Sequence, residues 1–94
     1  MRDVAKVNTH IAVAATSTTV LAANRSRESA TISNDSAVVI YLSLATSPNS
    51  TIPTAIVGDG LRLPAGGSIT IEDFTGAVAG ISTSGTNNVC LTEV

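Results

Sequence analysis

Apolar residues in this chain recur at every second position over short stretches, and polar residues and glycines separate the stretches. Ser29 to Asn34 (SATISN) shows the pattern most plainly, with Ala30 and Ile32 on one face and Thr31 and Ser33 on the other. That period of two predicts a half-buried strand. Asn34-Asp35-Ser36 supplies short side chains that bond their own backbone and tolerate tight geometry, so a turn is expected there. In the following AVVIYLSLA, Val38, Ile40, Leu42 and Leu44 fall in one phase and Val39, Tyr41, Ser43 and Ala45 in the other. Two strands across a short polar turn predict a β-hairpin, and apolar residues on both faces predict that the second strand is central or covered.

Residues 46–54 read as a loop, since Pro48 and Pro53 remove amide donors. Short stretches then alternate with turns: AIV before Gly58-Asp59-Gly60, LRL before Pro64-Ala65-Gly66-Gly67, SITIED before Thr75-Gly76, and AVAGIS before Ser84 to Asn88, with VCLTEV last. Leu63 to Ser68 reads as a hairpin turn: it lacks a P-loop lysine, and a strand rather than a helix follows it. Upstream, HIAVAAT and TVLAAN read as strands, because Thr16, Ser17, Thr18 and Thr19 in series are poor helix formers. Residues 1–9 have no clean period and read as an arm or extended lead-in. Turn residues every 8–12 positions indicate an all-β chain. The expected fold is a small antiparallel β-sandwich or barrel, jelly-roll-like or immunoglobulin-like, of about seven to eight short strands with an extended N-terminal arm.

Composition narrows the functions open to such a fold. The chain has 94 residues, 44% of them apolar but only 2% aromatic, so the core must be aliphatic. Val, Ile and Thr fill about a third of it, as in β-rich chains. Five Lys/Arg against seven Asp/Glu offer no basic footprint, so nucleic acid is not expected as a partner. The longest apolar run, Ala37 to Leu42, is far short of the roughly 20 residues of a membrane helix, and no targeting segment is apparent. The N-x-S/T triplets at Asn24, Asn34 and Asn49 are what chance gives where Ser and Thr make up about a quarter of the residues. A lone Cys90 cannot close an intramolecular disulfide, and Cys90 with His10 is too few ligands for structural zinc. No cofactor is expected. A domain this small, without staples, gains stability by burying surface against other chains, which favours a homo-oligomer.

Candidate chemistry is sparse. His10 has no nucleophile-elbow serine near it in sequence and reads as a surface or arm histidine. Cys90, in the strand-like Val89-Cys90-Leu91, reads as a small packing residue. Asp59, Glu72, Asp73 and Glu93 read as solvated acids at turns and strand ends, and Tyr41 and Phe74 alone give weak support for a sugar cleft. No catalytic residue is assigned and the chain is expected not to be an enzyme. The densest charge cluster, Arg25, Arg27 and Glu28, is a candidate interaction patch, with a solvated loop as the plainer reading. Arg2, Asp3 and Lys6 mark the candidate arm.

One resemblance adds to this. Ala23, Asn24, Arg27, Ile32, Asn34 and Ser36 fit an opening of the type A-N-x-x-R followed by I-x-N-x-S. Ile40-Tyr41-Leu42, then Leu63-Pro64-Ala65-Gly66-Gly67, Phe74-Thr75-Gly76-Ala77-Val78 with Ile81, and Val89-Cys90-Leu91-Thr92-Glu93 continue it. In these motifs the chain resembles small structural proteins of tailed-bacteriophage virions, among them capsid decoration (cement) proteins and components of head fibres and tail appendages. The match spans residues 22–94, which are expected to form the sandwich, and leaves 1–21 as an N-terminal arm or lead-in strands. The resemblance implies a non-enzymatic virion protein made in the host cytoplasm. Its partners would be the major capsid protein or other virion proteins, and it would act as a symmetric homo-oligomer, a trimer over a local threefold. A head-fibre or tail-appendage component that binds a receptor or glycan is the alternative.

Overall fold

The computed structural model of the protein describes residues 7–45, 53–72 and 74–94. Within them lie eight strands: β1 (Val7–Val13), β2 (Thr18–Leu21), β3 (Ser29–Asn34), β4 (Ile40–Leu44), β5 (Leu61–Leu63), β6 (Ser68–Glu72), β7 (Val78–Ser82) and β8 (Asn87–Glu93). They form two four-stranded sheets, ordered β1-β8-β3-β6 and β2-β7-β4-β5. Every pairing is antiparallel. The all-β antiparallel sandwich expected from the turn spacing is therefore the architecture, with two separate sheets in place of a closed barrel.

The pairings are nested. β1 pairs with β8, β2 with β7, β3 with β6 and β4 with β5, as if one long hairpin had been rolled up. Two further pairings, β3 with β8 and β4 with β7, join the turns of the roll. Consecutive strands consequently lie in opposite sheets, except β4 and β5.

Three expectations are corrected. Ser29–Asn34 and Ile40–Leu44 do not form a hairpin, because β3 is taken up by β6 and β8 and β4 by β5 and β7. The turn between them is a corner from one sheet to the other. Leu63 to Ser68 is likewise a corner, not a hairpin turn, since β5 and β6 lie in different sheets. AIV before Gly58 forms no strand. The central placement expected for the second strand does hold, with β4 between β7 and β5.

Period-two burial shows which side of each strand faces the core. Along β3 half-buried and buried residues alternate strictly, with Ala30, Ile32 and Asn34 inward. Val13, Ala30, Ile32, Ile71, Val89 and Leu91 come from one sheet and meet Val20, Leu21, Ile40, Leu42, Leu63 and Val78 from the other. This aliphatic layer matches the scarcity of aromatics; Phe74 packs against it, partly buried.

The division at residue 21/22 does not hold as a boundary of the sandwich. β1 and β2 are edge strands of the two sheets, and they contribute Val13, Val20 and Leu21 to the core. The candidate arm residues Arg2, Asp3 and Lys6 lie outside the described residues.

Candidate functional site

The Arg27 side chain makes four hydrogen bonds, and it is buried, at 3% exposure. Its loop is shaped by Asn24, whose Oδ1 accepts the Ser26 N–H (3.0 Å) and whose carbonyl accepts the Arg27 N–H (3.1 Å). From there the guanidinium points inward. Nε donates to Glu93 Oε1 at 2.7 Å, Nη1 to the carbonyls of Phe74 (2.8 Å) and Gly76 (3.2 Å), and Nη2 to that of Ala22 (2.6 Å). A buried guanidinium is tolerated because a carboxylate compensates its charge and carbonyls take the remaining donors. The Asn24 N–H also donates to Thr75 O (2.8 Å), and the Val94 carbonyl receives the Glu28 (2.7 Å) and Ser29 (3.1 Å) N–H groups. Arg27 thus ties three separate segments together: its own loop, residues 74–76, and the end of β8. Gly76 is required by close approach, because a Cβ there would stand 2.9 Å from Phe74 Cζ and 3.2 Å from Ala45 Cβ.

A second polar knot lies at the corner after β3. Asn34 is buried, and its Nδ2 donates to the carbonyls of Val38 (2.7 Å), Leu63 (3.0 Å) and Pro64 (3.1 Å). Its Oδ1 accepts the Ser36 hydroxyl at 2.6 Å. The backbone repeats the link: Asn34 N–H donates to Gly67 O (2.8 Å), and Gly66 N–H donates to Asn34 O (3.0 Å). Gly66 sits at φ +73°, the left-handed region that a residue without Cβ enters freely.

Of the expected interaction patch, Arg25 and Glu28 are exposed while Arg27 lies inside, so Arg27 is neither a surface contact nor part of a solvated loop. Glu93 was expected to be a solvated acid and is instead the buried partner of Arg27. Pairs 66 residues apart carry no local sequence signal, so this one could not be read from spacing. Cys90, expected to pack, is exposed, and so is His10, which stands directly opposite it in the β1–β8 register. Asp59 and Glu72 are exposed; Asp73 lies outside the described residues. Tyr41 and Phe74 are half-buried.

Three large apolar residues face solvent near the β5 edge: Ile56 (54% exposed), Val57 (50%) and Leu61 (37%). Their segment is held by the Ala55 N–H, which donates to Ser17 Oγ at 2.8 Å. Among the described residues there is no cluster of three or more His, Cys, Asp or Glu that could hold a metal, and no helix long and apolar enough to cross a membrane. No family model, no curated protein and no solved structure matches the chain.

Proposed function

We propose that this chain is a non-enzymatic structural protein of a bacteriophage virion, a decoration protein that binds the assembled head as a symmetric homo-oligomer. The observation that carries the reading is the exposed apolar trio Ile56, Val57 and Leu61, which offers an adhesive surface where a solvated loop would normally be polar. The motifs shared with phage virion proteins support it further. Arg27, Phe74, Gly76 and Glu93 meet in one knot and Asn34, Ser36, Gly66 and Gly67 in the other, so the resemblance rests on residues that hold this fold together.

We also infer that the nested strand order is that of a jelly roll rather than of an immunoglobulin sandwich; jelly rolls recur in viral capsid proteins, lectins and cupins. This is an analogy at the level of fold, and the surface carries the functional argument. A cement protein gains from such a surface by mass action, since whatever binds only the assembled shell shifts stability toward it.

The test is to incubate the purified protein with heads of the encoding phage, before and after expansion, and to image them by electron microscopy. Density at regular lattice positions on expanded heads is expected, with loss of occupancy in Ile56→Ser/Val57→Ser. Bare heads at saturating protein refute the reading. Density confined to fibres or the tail replaces it with an appendage role.

A further inference from the structure

We propose that β1 is a docking edge for a second copy of this chain, the two β1 strands pairing antiparallel about a twofold axis at His10. An edge strand presents a row of unpaired backbone N–H and C=O groups, and folded proteins ordinarily blunt such rows with charge, bulges or brevity. Among the described residues, three of the four sheet edges are blunted. β5 has three residues and an exposed Arg62, β2 has four residues and a bulge between Thr19 and Leu21, and β6 ends in the exposed Glu72. β1 has seven residues, VNTHIAV, with no acidic residue, Lys, Arg or Pro. Its register with β8 runs unbroken from Val7↔Glu93 to Val13↔Asn87, so no bulge turns the edge away.

The row of backbone groups calls for an extended strand, and β1 is complementary to itself. His10 is the midpoint of Val7–Val13, so antiparallel self-pairing sets Asn8 opposite Ala12 of the second copy and Thr9 opposite its Ile11. No lysine, arginine or carboxylate opposes another. Ile11, partly buried at the margin of the core, gains cover on the inner face. The two sheets become one eight-stranded sheet, with the exposed His10 residues adjacent at its centre. A twofold contact of this kind is isologous and closed. It differs from the threefold expected from the resemblance, and it stands whether or not the virion reading does.

Sedimentation equilibrium on the full chain tests it. The wild type is expected to dimerise. His10→Lys and His10→Glu, on the exposed face, place like charges directly opposite each other and each weaken the dimer by roughly fivefold or more. An equimolar mixture of the two variants is expected to restore it. In a Cys90→Ser background, His10→Cys is expected to form an interchain disulfide on oxidation, whereas Ser68→Cys on the β6 edge is not; this arm decides if the charged variants fail to fold by circular dichroism. A monomeric wild type up to about 1 mM overturns the proposal. So do charged variants that assemble like the wild type, a mixture that stays monomeric, or equal crosslinking at both edges.

Discussion

Replacing Arg27 by Met removes the guanidinium while keeping a long apolar stem. The side chains of Arg27 and Glu93 are only 1% and 11% exposed, so water replaces the lost partner poorly. The Glu93 carboxylate is left buried without its counter-charge, and the carbonyls of Ala22, Phe74 and Gly76 lose their donor. Breaking a buried ion pair from one side costs about 3–5 kcal/mol. At about 0.05–0.15 kcal/mol per residue, a 94-residue domain has a total stability of roughly 5–14 kcal/mol, so about a fifth or more of it is at stake. Glu93→Gln keeps an acceptor for Nε but leaves the buried guanidinium without its counter-charge, and is expected to cost a similar amount, about 3–5 kcal/mol. The double variant Arg27→Met/Glu93→Leu strands no charge and is expected to be less damaging than the sum of the corresponding single changes. The chain has no tryptophan, so urea unfolding followed by far-ultraviolet circular dichroism is the suitable assay. A loss under about 0.5 kcal/mol for Arg27→Met, a value typical of surface changes, refutes the reasoning; strict additivity in the cycle refutes the coupling.

Asn34→Asp turns three donor contacts into a carboxylate facing carbonyls, and is expected to destabilise more than Asn34→Ala, itself costing about 1–3 kcal/mol by the same urea assay. Gly76→Ala drives a methyl against the Phe74 ring and is expected to cost about 1–3 kcal/mol, relieved in part by Phe74→Leu. Cys90 is exposed and is expected to react with a thiol reagent in the native protein as fast as in urea, while Cys90→Ser shifts stability by no more than about 0.5 kcal/mol. Deleting residues 1–6, ahead of β1, is expected to lower head occupancy in electron micrographs, since it removes Arg2, Asp3 and Lys6.

Local pattern made the faces of the strands legible and left their partners hidden. Ile32 and Ala30 were assignable to the core because alternation fixes a side of the strand regardless of its neighbours. Asn34-Asp35-Ser36 was legible as a reversal of direction, but composition does not say which sheet receives the next strand. That is decided by the Asn34 amide reaching Leu63 and Pro64, 29 and 30 residues onward. AIV has strand-like residues but pairs with no strand among the described residues, and Ile56 and Val57 stand exposed. Arg27 looked like surface because charge usually is. Its burial depends on Glu93 and on carbonyls from a distant loop, which no local window contains. Cys90 was misplaced for a different reason: at period two, a strand residue between buried Val89 and Leu91 must face outward, and this outweighs the usual preference of cysteine for the interior.

The pairing of the first strand with the last bears on how the chain is made. β8 lies between β1 and β3, so that sheet has a gap at its middle until residues 87–93 exist. A nascent chain emerging from the ribosome therefore carries β1 and β3 with their inner edges open until residues 87–93 have been made, and folding waits for them. Contacts between strands so far apart in sequence close slowly, and the open edges are prone to pair with those of neighbouring nascent chains. A stop codon ahead of residue 93 would remove Glu93 from Arg27 and the end of the central strand at once. Truncation within β8 should thus yield aggregate rather than a smaller sandwich.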